Sequence, residues 1–309
     1  MNHNKKPDFI GIGAQKSGTS WLHENLKNHA DFDLLPIKEA HYFTRDKKYS
    51  AHRKLTVTSP FIRFLNLEYA KNASKRLRAA KLTDKKTYNF YKKWFFGTYC
   101  DSWYLSLFEE YKGISGETSP SYCILSKQDI KRLYNLLPDV KIIFLLRNPI
   151  ERAWSSYRFK TRKITDNSIN LIDESRILRH INTKSQLARS DYKTTIDHFT
   201  SVFPKEQFKI GFFDAIEEQP QKLLQEVTNY LGATSDFQDQ DFNFDKVINE
   251  SKILKCPDAV RAYLMELYYP QIKALAEHYG GYFNQWLNKT YGEQSSHPNK
   301  TLSPTMTIV

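Results

Sequence analysis

The feature that most constrains this chain is a glycine-bearing turn wedged between an apolar run and a helix-compatible segment near the N-terminus. Phe9-Ile10-Gly11-Ile12-Gly13 is short and apolar, Ala14-Gln15-Lys16-Ser17-Gly18 follows, and residues 19–29 then have helical character. A turn of this kind aims backbone N–H groups and a helix N-terminus at one point, which makes a ready anion site. The same strand-then-helix order recurs. Lys141-Ile142-Ile143-Phe144-Leu145-Leu146 is a continuous apolar run, the mark of a strand buried on both faces. Residues 149–163 read as its helix, with Asn148 as N-cap, Pro149 in the first helical position and Glu151 where a capping-box acid belongs. Residues 208–213 form a third strand, and a helix over 219–231 follows, stopped by Gly232. A long amphipathic helix over 258–279 ends at Gly280-Gly281. This alternation predicts an α/β fold: one domain over residues 1–288, with a central, mostly parallel sheet flanked by helices. Residues 289–309 are expected to be a flexible tail, since 294–309 are rich in Ser, Thr and Pro.

Composition excludes several classes. Twenty Phe, 19 Tyr and 5 Trp in 309 residues rule out general disorder. No stretch approaches the ~18 apolar residues of a membrane span, and the N-terminus lacks the apolar core of a secretory signal. Three cysteines, Cys100, Cys123 and Cys256, have neither metal spacing nor an even count, which points to a reducing, cytoplasmic setting and no metal site. The net charge of +12 leaves nucleic acid, membrane surface, acidic polysaccharide and phosphorylated small molecules open as partners. That charge is localised. Between Arg45 and Lys93, fifteen Lys and Arg face only Asp46, Glu68 and Asp84, a surplus of twelve that equals the whole chain's charge.

The loop nearly fits the nucleotide-binding pattern G-x-x-x-x-G-K-[ST], and its misfit is informative. Thr19 occupies the lysine position, while Lys16 has moved into the loop. A triphosphate-splitting enzyme uses that lysine on the β/γ-phosphates, with Mg²⁺ on the next hydroxyl; here the lysine is placed for a nearer phosphate. Read alone, the turn is either that anion site or a glycine turn with a solvated lysine. Lys16-Ser17-Gly18-Thr19-Ser20 resembles the 5′-phosphosulfate loop of sulfotransferases that use 3′-phosphoadenosine 5′-phosphosulfate (PAPS). Trp21 matches a tryptophan that stacks on adenine in the cytosolic branch, although it could equally be a core residue. A second segment, Arg147-Asn148-Pro149-Ile150-Glu151-Arg152-Ala153-Trp154-Ser155, carries the family's pair for the 3′-phosphate: an arginine at a strand end and a serine eight residues on. An arginine fork and a hydroxyl both suit phosphate.

Lys38-Glu39-Ala40-His41-Tyr42-Phe43 is similar to the K-E-x-H-[FY]-F segment of heparan-sulfate-type and related bacterial members. The resemblance implies Glu39 as general base; if the segment is extended, Glu39 and His41 share a side, and either could take the proton while the other orients it. Gly116-Glu117-Thr118-Ser119-Pro120-Ser121-Tyr122 and Ala188-Arg189-Ser190-Asp191-Tyr192 are further family-like segments, with Thr118 and Ser190 departing from the usual lysine and glycine. Lys252 and Lys255 fall where relatives place a loop that closes over the cofactor. The resemblance runs with gaps from about residue 9 to 286. It is interrupted by a basic, partly helical insertion over residues 44–100.

Within that insertion, residues 61–82 could form a helix with Phe61, Leu65 and Leu77 inward and Arg63, Lys75, Arg76 and Arg78 outward. The insertion either recognises an anionic acceptor, such as an acidic glycan, or is a solvated basic face. The implied activity is metal-free transfer of the sulfuryl group of PAPS to an acceptor hydroxyl, of a carbohydrate or glycoconjugate, in a cytoplasmic, bacterial-type enzyme. Two other readings stand beside it. One is a nucleoside or sugar kinase, which Thr19 speaks against. The other is a nucleic-acid-binding protein built on residues 45–93, for which no recognised nucleic-acid motif is present.

Overall fold

The computed structural model describes residues 5–49, 56–162, 164, 172–234, 242, 255–296 and 302–308. At its centre is a five-stranded sheet of order β2-β1-β3-β4-β5. β1 (Phe9–Gly13), β2 (Gly116–Thr118), β3 (Lys141–Leu146) and β4 (Phe208–Phe212) are parallel; β5 (Thr305–Thr307) runs antiparallel to β4. β1 and β2 are buried throughout, and in β3 only Lys141 is not, as expected for strands covered on both faces.

Helices cover the sheet in chain order. α1 (Thr19–Asn28) follows β1. The insertion supplies α2 (Pro60–Phe64), α3 (Leu67–Thr83) and α4 (Lys85–Phe96), and α5 (Asp101–Ser106) follows it. α6 (Lys127–Leu136) leads into β3, and α7 (Pro149–Thr161) leaves it. α8 (Glu174–Ile181), α9 (Lys184–Ser190) and α10 (Tyr192–Thr200) precede β4, and α11 (Phe213–Glu218) and α12 (Pro220–Leu231) follow it. α13 (Asp258–Tyr279) and α14 (Tyr282–Tyr291) pack together near the C-terminus. The Asn148 side chain caps α7 by accepting from the Ile150 N–H at 3.0 Å, and Gly232 ends α12 with φ 94°. Glu151, however, pairs with Arg261 at 3.1 Å.

Two expectations are corrected. The C-terminal segment is not simply a tail: α14 runs to Tyr291, and Thr305, Met306 and Thr307 register against Gly211, Ile210 and Lys209 as an edge strand. Three residues with Ser, Thr and Pro around them carry no period to read, and only the pairing with β4 makes them a strand. In the insertion, residues 61–82 are not one helix, because Asn66 caps a new one by accepting from the Tyr69 N–H. On α3 the expected faces hold, with Lys75, Arg76 and Arg78 exposed, but around α2 they are exchanged. Phe61 and Leu65 are 75% and 69% exposed, whereas Arg63 is 4% exposed; Leu77 is half-buried against the core. Arg63 donates to the carbonyls of Thr58 and Gly97 at 2.6 Å and of Val57 and Phe95 at 3.2 Å, and its guanidinium lies 3.7 Å from the centre of the Tyr99 ring. Two of those carbonyls belong to the last turn and end of α4, where acceptors lack helical partners and favour a cation. Anchoring Arg63 there turns residues 61 and 65, which lie on the other side of α2, toward solvent.

Candidate active site

In sequence β1 connects to β2 on one side of the sheet and β3 lies on its other side, so the order reverses between β1 and β3. Ligands in open α/β sheets bind outside the carboxyl ends of the strands at such a point. Both phosphate-like segments emerge there, the loop from β1 and Arg147 from β3. The Ala14 N–H donates to the Leu145 carbonyl at 2.6 Å, and Arg147 reaches the Lys16 carbonyl at 3.5 Å.

The loop ends at Gly18, which precedes α1 with φ 85°; a Cβ there would stand 2.2 Å from Ile216 Cδ1. Lys16 and His41 also have left-handed backbone, with φ 73° and 52°, a conformation the surroundings must hold in place for non-glycine residues. Ser17 is fully buried, and its hydroxyl has no hydrogen-bond partner among the described residues. A buried donor left open in a loop of this shape fits a phosphate oxygen. Lys16 Nζ lies 4.1 Å from the centre of the Phe159 ring. Burial first, then the charges of Arg162, Arg147, Arg158 and Lys38, bring its ammonium down to about 8. Arg147, lying over the Phe213 ring at 4.0 Å, is likewise lowered by burial. Ser155 is buried on α7, and Arg158 and Arg162 stand three and seven residues beyond it, on the same helix stripe. A partly buried cluster of like charges is costly in isolation and suits a polyanion.

Beside the cluster lies the Glu39 segment. The Thr118 N–H donates to the Lys38 carbonyl at 3.0 Å, which ties the segment to the end of β2. Lys38 Nζ donates to Ser20 Oγ at 2.9 Å and Thr19 Oγ1 at 3.1 Å, and lies 3.7 Å from Glu39 Oε1. Glu39, 38% exposed, has its Oε2 2.8 Å from His41 Nε2. The other ring nitrogen of His41 is 2.9 Å from Ser121 Oγ, itself 3.1 Å from Thr44 Oγ1. With Nε2 carrying the proton, Glu39 accepts from His41 and His41 accepts from Ser121, so the chain of hydroxyls fixes ring and carboxylate together.

A second carboxylate, fully buried, holds this loop. Glu117 accepts from the Ala40 N–H at 2.9 Å, Ser119 Oγ at 2.6 Å, Tyr104 OH at 2.8 Å and Tyr122 OH at 2.9 Å. Burial pushes its carboxyl above the usual carboxylate range, against the four donors that favour ionisation. Arg189, 6% exposed, has its Nε without a partner among the described residues and feels the charge of Glu39.

The structure therefore brings together Lys16, Ser17, Gly18, Thr19 and Ser20 with Arg147, Glu39 and His41. Trp21 is buried in the core at 5% exposure. Lys255 is exposed and pairs with Asp258 at 3.6 Å, ahead of α13, and Lys252 lies outside the described residues. Sequence reasoning did not single out Lys38, Arg158, Arg162, Arg189 or Glu117 as site residues. For Arg158 and Arg162 a signal existed in their helical spacing from Ser155. Among the described residues no group of His, Cys, Asp and Glu could hold a metal ion, and no helix is long and apolar enough to cross a membrane.

A profile of the sulfotransferase family matches residues 7–239. A membrane-associated sulfotransferase of Dictyostelium discoideum, kil1, is 34% identical over 166 residues, 52% of this chain and 24% of that protein. Heparan sulfate glucosamine 3-O-sulfotransferase 6 of Homo sapiens is 26% identical over 148 residues, 47% of this chain and 43% of that protein. The matched regions thus span less than half the length of either relative. Among solved structures, a sulfotransferase from Alicyclobacillus acidocaldarius shares the fold with a TM-score of 0.60 at 22% identity, over 88% of this chain and 95% of that one. Because the family profile takes in the β1 loop, the Glu39 segment and the β3 arginine alike, the chain belongs to the sulfotransferase family.

Proposed function

We propose that this sulfotransferase moves the sulfuryl group of PAPS to a hydroxyl of a carbohydrate or glycoconjugate. The observation that carries the reading is the cluster of Lys16, Arg147, Arg158, Arg162 and Lys38 around a loop whose buried Ser17 hydroxyl is left open. Lys16, Ser17, Gly18, Thr19 and Ser20 would hold the 5′-phosphosulfate, and Arg147 with Ser155 the 3′-phosphate. When bound, PAPS supplies an activated sulfuryl group whose leaving group is a phosphate. Lys16 and the loop N–H groups then face the oxygen on which charge builds.

Glu39 acts as the general base and His41 orients it. The carboxylate is half-exposed, its Oε2 is fixed by the imidazole, and its other oxygen is beside Lys38. A carboxylate held this way can accept an acceptor hydroxyl's proton without first reorganising. Lys38 also joins the base to the hydroxyls of Thr19 and Ser20, so donor loop and acceptor side are mechanically one unit. The carbohydrate acceptor rests on the Glu-x-His segment and on the human relative's being named for heparan sulfate glucosamine.

The test is thermal unfolding with nucleotides. A ligand at 100 times its Kd stabilises by about 2.7 kcal/mol, which raises Tm by several degrees in a chain of this size. Adenosine 3′,5′-bisphosphate is expected to do so without Mg²⁺, and ATP with Mg²⁺ much less. The reverse ranking overturns the PAPS assignment and favours a triphosphate.

A further inference from the structure

Five large apolar side chains crowd one end of the insertion. α3 and α4 are antiparallel, with Asp84 ending the first and capping the second, so the start of α3 lies beside the end of α4, and α2 packs against both. There Phe61 and Leu67 are 75% exposed, Leu65 69%, Ile62 55% and Phe96 54%. Phe64 stacks on Phe96 with ring centres 5.0 Å apart, which joins α2 to α4 in one continuous apolar cap. Its underside is rigid, because Arg63 is bonded to carbonyls at the end of α4. Side chains more than half exposed stand proud of the surface; they do not line a groove.

The charge beside this cap is predominantly positive. On α3, Lys71, Lys75 and Arg78 follow Leu67 at helical spacing, all exposed; on α4, Lys92 and Lys85 recede from Phe96 in the same way. Glu68 is the acid beside them on α3. Among the described residues of the insertion, Lys93 pairs with Glu109 at 2.8 Å and Lys86 with Asp33, while Lys47 and Lys81 are exposed. Lys71 and Lys92 stand one helical turn from Leu67 and Phe96, so exposed cations flank the apolar cap on both helices.

We propose that this end of the insertion docks on an anionic lipid bilayer, with Phe61, Ile62, Leu65, Leu67 and Phe96 entering the headgroup–acyl boundary and Lys71, Lys75, Arg78 and Lys92 lying against anionic headgroups. Convex apolar side chains beside a cationic face are the chemistry of interfacial membrane binding. A neutral bilayer or an apolar protein partner would make no use of the lysines. A soluble polyanion would make no use of the apolar cap. The surface shares no residue with the candidate nucleotide site, and the proposal does not depend on the reaction catalysed.

The experiment is co-sedimentation of the full chain with phosphatidylcholine vesicles and with vesicles containing about 30% phosphatidylserine, alongside binding to heparin. Binding is expected to the anionic vesicles and to weaken steeply with salt. Each of Lys71→Ala, Lys75→Ala and Lys92→Ala should weaken it about five-fold. Phe61→Ser with Leu65→Ser should weaken it more than ten-fold while leaving heparin binding unchanged. Since both side chains are exposed, that variant should keep the parent's Tm. Three results would each overturn the proposal: no binding to anionic vesicles, vesicle binding indifferent to the Phe61/Leu65 substitutions, or a self-association of the parent chain that those substitutions abolish.

Discussion

Binding of adenosine 3′,5′-bisphosphate should place a proton on Lys16. In the protein alone, burial and the neighbouring Arg162, Arg147, Arg158 and Lys38 hold its ammonium at about 8, down from 10.5. Bound phosphates bring negative charge among those cations, and the ammonium returns to its ordinary range or above. A lysine titrating at about 8 is about one tenth neutral at pH 7, half neutral at pH 8 and nine tenths neutral at pH 9. In the complex it stays protonated throughout, so uptake on binding should be about 0.1, 0.5 and 0.9 proton at those three pH values. Phosphate oxygens, with a second ionisation near 6, contribute little above pH 7.5. Calorimetric titration in buffers of different ionisation enthalpy reads the proton number directly. Affinity should also fall towards ten-fold per pH unit above 8. Lys16→Gln should lose both the uptake and most of the affinity. Zero uptake at pH 9, or equal uptake in Lys16→Gln, would refute the account of this cluster.

The same shift makes Lys16 a burden on the unliganded fold. Between about pH 8 and 10.5 the unfolded chain holds a proton that the folded chain has released, so stability should rise with pH through that window. Lys16→Gln should accordingly stabilise the unliganded protein at pH 7, on the order of 1 kcal/mol after allowing for solvent screening, which urea unfolding would register. Glu39→Gln is expected to lower turnover by about 10²-fold or more, with nucleotide binding unchanged; a near-normal rate would remove Glu39 from the mechanism. Glu117→Ala strands four donors in the core and should cost about 3–5 kcal/mol in urea unfolding, more than Glu117→Gln; a loss under 1 kcal/mol would show that the carboxylate does not hold the Ala40 loop.

What could be read in advance was what local pattern dictates. β1, β3 and β4 declare themselves as apolar runs, and α13 shows both its ends, at Asp258 and at Gly280. The glycine turn between β1 and α1 could be read because glycine spacing is a local fact. What could not be read depended on partners distant in sequence. β2 has three residues, Gly116, Glu117 and Thr118, and is a strand only because β1 pairs with it. β5 exists by its pairing with β4. The burial of Arg63 cannot be inferred from amphipathic spacing, since two of its four carbonyl partners lie 32 and 34 residues away. Glu117 looks like an ordinary strand-end acid until Tyr104, Tyr122, Ser119 and Ala40 converge on it. Lys38 was in plain view beside Glu39, but its part in bridging to Thr19 and Ser20 requires the loop and the segment to meet in space.

The Lys16 loop and Glu39 are proposed to carry out sulfuryl transfer from PAPS together. The most direct measurement is transfer of ³⁵S from labelled PAPS to a panel of glycans, lipids and small hydroxyl metabolites, run with the parent chain and with Glu39→Gln. Labelled product is expected on a glycan hydroxyl without added metal, with its loss by about 10²-fold in the variant. Phosphoryl transfer from ATP in place of sulfuryl transfer, or ³⁵S transfer that survives Glu39→Gln undiminished, would contradict it.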